Sequence, residues 1–138
     1  MSKSAEAALA ALFAAARSAQ ARAYAPYSRF HVGAALRTSS GALFTGCNVE
    51  NAAYPQGACA EANAIGAMAL AGERRIAEIL VIGEGAALCT PCGGCRQRIR
   101  EFAAPDTPIV VAGPEGVRAR FTLEELLPHS FGPDHLKR

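Results

Sequence analysis

The sequence predicts an α/β protein in which helices cover both faces of one mixed β-sheet. Two short runs at 79–82 and 109–112 consist only of apolar residues, which is typical of strands buried on both sides. Segments with helical signals separate these strands, and such alternation is typical of layered α/β folds. The chain of 138 residues is long enough for one hydrophobic core. We therefore expect a single domain over residues 1–138.

The first predicted element is a helix over residues 4–24 with Ser4 as its N-cap. Its apolar residues follow the i, i+3, i+4, i+7 spacing of a helix with one buried face: Leu9, Leu12, Phe13 and Ala16. The alanine-rich run, followed by Ser-Ala-Gln-Ala at 18–21, also imitates a secretory signal peptide. Alanine is only weakly hydrophobic and strongly helix-forming, so we favour a core helix.

The remaining predicted elements follow in the order ββαβαββα. We predict strands at 30–37, 42–47, 79–82, 109–112 and 117–121, and helices at 59–71, 90–102 and 122–127. A Ser-Ser-Gly turn at 39–41 joins the first two strands. Gly72 suits the end of the second helix, and Thr90 and Pro91 suit the N-cap and first position of the third. The residues after Pro133 are predicted to form a loose tail.

Composition argues against several classes of function. The net charge of +2 provides no basic surface for a polyanion, so we expect no nucleic-acid partner. No segment is long and apolar enough to span a membrane. Five cysteines are an odd number for a disulfide framework. Thiolate ligands suit a reducing compartment, so the cytoplasm is favoured.

The spacing of three cysteines predicts a zinc site. A C-A-E motif at 59–61 is followed by P-C-G-G-C at 91–95. A catalytic zinc takes three protein ligands and leaves a fourth position open for water, and Cys59, Cys92 and Cys95 can fill the three. Both groups come at predicted helix starts, where the partial positive charge of the helix stabilises thiolates.

Glu61 lies two residues after a ligand, where it can act as a general acid–base on the reacting water. The alternative is a structural zinc site closed by Cys89, because the C-x-x-C-x-x-C run at 89–95 suits a closed cluster on its own. In the catalytic interpretation Cys89 is a spare thiol at the edge of the site. Cys47 is expected to be a small buried side chain, and Arg96 to hydrogen-bond a ligand sulfur.

Five motifs extend beyond the metal ligands. They are FHVGAAL at 30–36, GCNVENAAYP at 46–55, CAE at 59–61, PCGGCRQ at 91–97 and LLPHSF at 126–131. In this order the chain resembles the short, three-cysteine, homotetrameric form of cytidine deaminase over roughly residues 5–131. The resemblance implies a three-layer α/β/α cytidine-deaminase-like fold with a mixed five-stranded sheet, and one Zn²⁺ per chain. It also implies hydrolysis of cytidine and 2′-deoxycytidine to the uridines plus ammonia, in pyrimidine salvage.

The resemblance implies roles for residues outside the metal motifs. Asn48 and Glu50 match a pair that holds the ribose hydroxyls, although from the residues alone they suit a turn and a solvated carboxylate. Phe30 matches a phenylalanine that packs on the pyrimidine. Phe131 matches one that enters a neighbouring subunit's site, and Tyr54 is placed at such a site too. The predicted assembly is a homotetramer with shared active sites for a small nucleoside.

Smaller features complete the predicted site. Ala60, between a ligand and Glu61, is assigned to substrate contact, and Gln97 to the surroundings of the metal ligands. Ala62 departs from the resemblance, because the three-cysteine enzymes usually carry there an arginine that offsets thiolate charge. A blasticidin-S-type or modified-cytosine nucleoside deaminase is the alternative, but that type lacks the Asn-x-Glu pair. A structural-zinc module that binds nucleic acid is the other, and the near-neutral charge argues against it.

Overall fold

A computed structural model describes residues 1–136 of the chain and confirms the predicted α/β class and element order. The helices are α1 (Lys3–Gln20), α2 (Ala60–Leu70), α3 (Gly93–Phe102) and α4 (Leu123–Leu126). The strands are β1 (Gly33–Thr38), β2 (Leu43–Cys47), β3 (Ile76–Ile82), β4 (Pro108–Gly113) and β5 (Gly116–Thr122). Single 3₁₀ turns lie at Tyr54–Gln56 and Pro133–His135. No helix within residues 1–136 has the length and hydropathy needed to cross a bilayer.

The five strands form one mixed sheet in the order β2-β1-β3-β4-β5. Only β3 and β4 are parallel, and α3 provides the crossover between them. The other neighbouring strands are antiparallel, with short connections joining β1 to β2 and β4 to β5. Two buried clusters, one on each face of the sheet, form the core. Such an arrangement is a three-layer α/β/α fold.

Helix α1 covers one face of the sheet, as a core helix should. Leu12 and Ala16 have no exposed surface and pack with Leu80 and Val110. The helix begins earlier than predicted, because Ser2 is the N-cap and its hydroxyl accepts a hydrogen bond from the Ala5 amide. It also ends earlier than predicted, at Gln20. Tyr24 lies outside it because its backbone hydrogen-bonds to that of Asn48 and Glu50.

Other predictions also need correction, including the start of β3, which lies at Ile76 rather than residue 79. Strand β1 begins at Gly33 rather than residue 30, because the side chain of Asn48 satisfies the backbone there. Helix α3 begins after Cys92, which takes the N-cap position predicted for Thr90. The predicted tail after Pro133 is partly held, since Arg100 Nη2 lies 2.7 Å from Asp134 Oδ1. The last two residues of that tail lie outside the described residues.

Candidate active site

The three predicted ligand cysteines come together at the N-terminal ends of two helices. Cys59 is the N-cap of α2, Cys92 is the N-cap of α3, and Cys95 lies in the first turn of α3. Their sulfurs lie within 4.8 Å of one another, and Cys59 Sγ is 3.9 Å from Cys92 Sγ. Tetrahedral zinc with Zn–S bonds near 2.3 Å separates sulfurs by about 3.8 Å. The donor set therefore fits one zinc ion.

The pKa values of the three thiols depend on burial and on the neighbouring groups. Burial raises the pKa of Cys95 far above its ordinary value, and the negative charge of Glu61 adds to the effect. Burial also raises the pKa of Cys59. For Cys92, the backbone amide of Cys95 and the neighbouring thiols outweigh burial and lower the pKa. Because thiolates are the form that ligates metal, a cation that binds this cluster must displace protons from the buried thiols.

Glu61 lies in the first turn of α2 beside this cluster. It is only 4% exposed, and burial raises the pKa of its carboxyl against the opposing effects of its own backbone amide and Arg98. It lines a cavity of about 180 Å³ together with Val32, Asn48, Cys59, Ala60, Cys89, Thr90 and Cys92. A buried carboxyl that shares a small cavity with candidate metal ligands is suited to moving protons there.

The position of α2 is set by direct contact of two backbones. A Cβ atom on Gly46 of β2 would lie 2.4 Å from both Ala60 O and Ala64 N. Such distances are far below van der Waals contact, so only glycine allows this approach. The first turn of α2, which carries Cys59 and Glu61, is thereby fixed against the edge of the sheet.

Asn48 lines the cavity but uses its side chain to hold the chain leading into β1. Its Oδ1 accepts from the Val32 amide at 2.9 Å, and its Nδ2 donates to Phe30 O at 2.8 Å. Phe30 is therefore in an irregular segment rather than a strand, and its ring lies close to Gly83. Asn48 thus positions the predicted ring-packing residue through its backbone.

Glu50 lies in a second pocket of about 350 Å³ with Tyr27, Ser28, Asn51, Tyr54 and Gly57. Its Oε1 accepts from the amides of Tyr27 and Ser28 at 2.9 and 3.1 Å, and its Oε2 accepts a short hydrogen bond from the Ser28 hydroxyl. The Ser28 hydroxyl is the main cause that lowers the pKa of Glu50. The side chain is therefore a held, ionised acceptor. Tyr54 packs on Tyr27 at 5.7 Å between ring centroids.

Phe131 lies apart from both pockets within one chain. Its side chain is exposed and stacks on His135 with ring centroids 4.8 Å apart. Gln97 Nε2 donates to Phe131 O at 2.8 Å and ties this segment to α3. Gln97 therefore supports Phe131 rather than a sulfur.

The expected contact of Arg96 with a ligand sulfur is wrong. Its guanidinium donates to Pro91 O at 2.7 Å, Leu126 O at 2.8 Å and Thr90 Oγ1 at 3.2 Å. Two of these acceptors, Pro91 O and Thr90 Oγ1, belong to the turn before α3, so Arg96 fixes that turn. Sequence reasoning missed Arg98, whose Nη1 lies 3.8 Å from Cys95 Sγ. The i, i+3 spacing of Cys95 and Arg98 was the available signal.

Comparisons with known proteins agree with this geometry. Residues 7–111 match the family described as cytidine and deoxycytidylate deaminase zinc-binding region. A cytidine deaminase of Sporosarcina psychrophila is 37% identical over 125 residues, which cover 91% of this chain and 92% of that protein. One from Mycobacterium tuberculosis is 44% identical over 121 residues, which cover 87% and 86%. A crystal structure of cytidine deaminase from Burkholderia pseudomallei has a TM-score of 0.83 at 44% identity, covering 88% of this chain and 98% of that one.

Proposed function

Since the chain belongs to the cytidine and deoxycytidylate deaminase family, we propose that it hydrolyses cytidine and 2′-deoxycytidine to uridine and 2′-deoxyuridine plus ammonia, in pyrimidine salvage. The family model and the curated relatives confirm the resemblance found in the sequence. The observation that carries the proposal is the cluster of three sulfurs within 4.8 Å beside a buried glutamate that shares their cavity.

Zinc is the cofactor, and Cys59, Cys92 and Cys95 are the residues that would hold it. When bound, it supplies a Lewis acid that lowers the pKa of water to about 7. Each cysteine lies at the start of a helix, where the backbone dipoles favour the thiolate. A closed structural site would need a fourth ligand. Among the described residues, Cys89 does not belong to the compact cluster.

Glu61 is the proposed general base and acid. Its carboxylate takes a proton from the water that attacks C4 of the cytosine ring. It delivers this proton to the ring nitrogen, then takes the second proton from the hydroxyl now on C4 and passes it to the amino group, which leaves as ammonia. The Glu61 side chain is almost fully buried, which shields its carboxyl from bulk solvent.

The sugar end of the substrate is assigned to the segment that links the two pockets. Asn48 lines the cavity of Glu61, and Glu50, two residues later, lines the second pocket. Backbone hydrogen bonds of Val49 to Ala58, at 2.9 Å in both directions, fix the segment between them. Glu50 is held as an ionised acceptor by Ser28 and so can receive a hydrogen bond from a ribose hydroxyl. We assign Tyr54 to the same end of the site.

Glu50 gives a test of the substrate class. We expect cytidine to react, and cytidine 3′-phosphate and a cytosine-containing single-stranded oligonucleotide to be inert, because a 3′-phosphate replaces the hydroxyl donor with negative charge. Glu50→Gln should raise KM for cytidine by about tenfold and reduce the discrimination against the 3′-phosphate. Loss of absorbance as cytosine becomes uracil measures the rate with cytidine and the rate with the 3′-phosphate.

A matched control for Glu50 is Glu73, which also accepts from a serine hydroxyl, Ser40 Oγ at 2.8 Å. Glu73→Gln should leave both rates unchanged. Comparable rates for cytidine and the oligonucleotide would contradict the placement of Glu50. A parent that deaminates a modified cytosine nucleoside but not cytidine would favour the alternative substrate class.

We also infer a homotetramer with shared active sites. Large apolar side chains remain exposed near the pockets and the C-terminal segment, including Tyr24, Tyr54 and Phe131. The second pocket opens to solvent beside Tyr54, which is 74% exposed. Aromatic side chains of this kind are typical of interface cores. Phe131 lines neither the pocket of Glu61 nor that of Glu50 in its own chain, and it is proposed to complete a site in another copy.

A mixing experiment tests this sharing. Glu61→Gln protein lacks the base, and Phe131→Ala protein lacks the proposed closing ring, so each alone should be weak. Mixed assemblies would contain some sites with both groups intact, so activity should rise several-fold above the sum of the separate proteins. Light scattering should show four chains per particle. Fully active monomers, or no gain after subunit exchange, would refute the sharing.

The free thiols of this protein indicate the compartment in which it works. All five cysteines are free, and three of them must stay reduced to ligate metal. We therefore propose that the enzyme works in a reducing compartment, the cytoplasm.

A further inference from the structure

The zinc ligands leave a charge to be balanced. Three thiolates with one divalent cation carry an excess of one negative charge. The first turn of α2 brings no cation beside them, because Ala62 and Asn63 follow Glu61. The Asn63 side chain donates to Cys47 O at 2.8 Å and does not reach a sulfur. Arg96 is used by carbonyl oxygens and the Thr90 hydroxyl.

Arg98 is placed to provide this charge. It lies one turn after Cys95 on α3, and side chains on a helix point back toward its N-terminus. Its Nη1 is 3.8 Å from Cys95 Sγ. Within residues 1–136, no carboxylate forms a salt bridge with Arg98, whereas Arg37, Arg100, Arg118 and Arg120 all have one. Arg98 is thus free to interact with the sulfur.

Gly94 leaves room for this contact. A Cβ atom at Gly94 would lie 3.2 Å from Arg98 Nη1, which is tighter than an ordinary contact. The guanidinium therefore lies directly over the turn that carries Cys92 and Cys95. A larger side chain at position 94 would compete with Arg98 for this space.

We propose that Arg98 is a positioning residue that retains zinc by donating a hydrogen bond to Cys95 Sγ and balancing the thiolate charge. This rests on the proposed zinc-dependent function but concerns metal retention rather than the reaction. Outer-shell partners of metal ligands contribute about 10- to 100-fold to metal affinity. Because Arg98 is exposed to solvent, its contribution belongs at the lower end of that range.

The test is zinc transfer from the holoenzyme to a chromogenic chelator, compared for the parent, Arg98→Gln and Arg98→Lys. We expect Arg98→Gln to lose zinc about tenfold faster. Arg98→Lys should fall between the two, because it keeps the charge but not the planar set of donors. Circular dichroism before transfer shows whether each variant is folded. Partial rescue by lysine distinguishes charge from simple packing.

Arg74→Gln is the matched control. Arg74 is exposed beyond the C-terminal end of α2 and donates to Ala69 O and Glu73 O. The 11-residue helix separates it from Cys59 by about 16 Å. This variant makes the same change of net charge and should release zinc at the parent rate.

Release from folded Arg98→Gln within twofold of the parent, or equal acceleration by Arg74→Gln, would overturn the proposal. Cytidine turnover by the zinc-loaded parent is measured in parallel. A parent that holds zinc but does not deaminate cytidine would refute the proposed function and leave the comparison of zinc release intact.

Discussion

Glu61→Gln should lower turnover of cytidine by about 10⁴-fold while the protein keeps its zinc and its fold. General acid–base residues contribute about 10² to 10⁴ in rate, and Glu61 is expected at the upper end because one carboxylate serves several proton transfers. Glutamine preserves the shape of the side chain in its buried position. It cannot accept a proton from water or deliver one to the ring. Steady-state rates and metal content on the same sample measure the effect.

Glu78→Gln is the matched control for this substitution. Glu78 is also buried, at 5% exposure, but it lies on β3 between Arg37 and Arg120, at 2.6 and 3.2 Å from their guanidinium nitrogens. Its substitution should reduce stability rather than turnover of the folded protein. A Glu61→Gln enzyme within a few-fold of the parent rate would remove Glu61 from the mechanism.

Removal of one ligand cysteine should have the second large effect. We expect about one zinc per chain in the parent, and close to none in Cys59→Ala, Cys92→Ala or Cys95→Ala, with activity lost in parallel. Loss of a direct ligand should exceed the 10- to 100-fold that outer-shell changes produce. Metal analysis of purified protein gives the stoichiometry.

Cys89→Ala separates the catalytic from the structural interpretation. Cys89 lines the cavity, but its thiol packs against Gly83 and lies outside the compact sulfur cluster. Cys89→Ala should therefore keep its zinc, and Cys47→Ala serves as a second control. If Cys89→Ala loses the metal while Cys59→Ala keeps it, the ligand assignment is wrong.

The features that could be predicted from the sequence are those that depend on local chemistry. The order of elements follows from apolar runs and turn residues, and these are close together in the chain. The ligand cluster follows from cysteines at helix starts, a pattern that carries both the spacing and the electrostatic reason. Helix α1 was recognisable because Leu12 and Ala16 share one helical face.

The features that could not be predicted depend on which segments meet in space. Asn48 holds the backbone at Phe30 and Val32 only because the chain passes beside them after β2. Arg96 and Arg98 are both arginines near Cys95, and the sequence does not show that backbone carbonyls lie within reach of the first. The partner of Phe131 lies beyond any single chain if the site is shared. Helix α1 ends earlier than predicted because Tyr24 pairs with a distant segment.

The contact between Gly46 and α2 has a consequence for how this enzyme can change over time. Core side chains can be exchanged for others of similar volume, because neighbouring residues adjust to them. Backbone atoms in contact cannot adjust in this way. The distance between β2 and the start of α2 therefore depends on Gly46 having no side chain. The turn that carries Cys59 and Glu61 is therefore held at a fixed distance from β2. A single methyl group at position 46 would displace this turn. Few substitutions of Gly46 can therefore be tolerated.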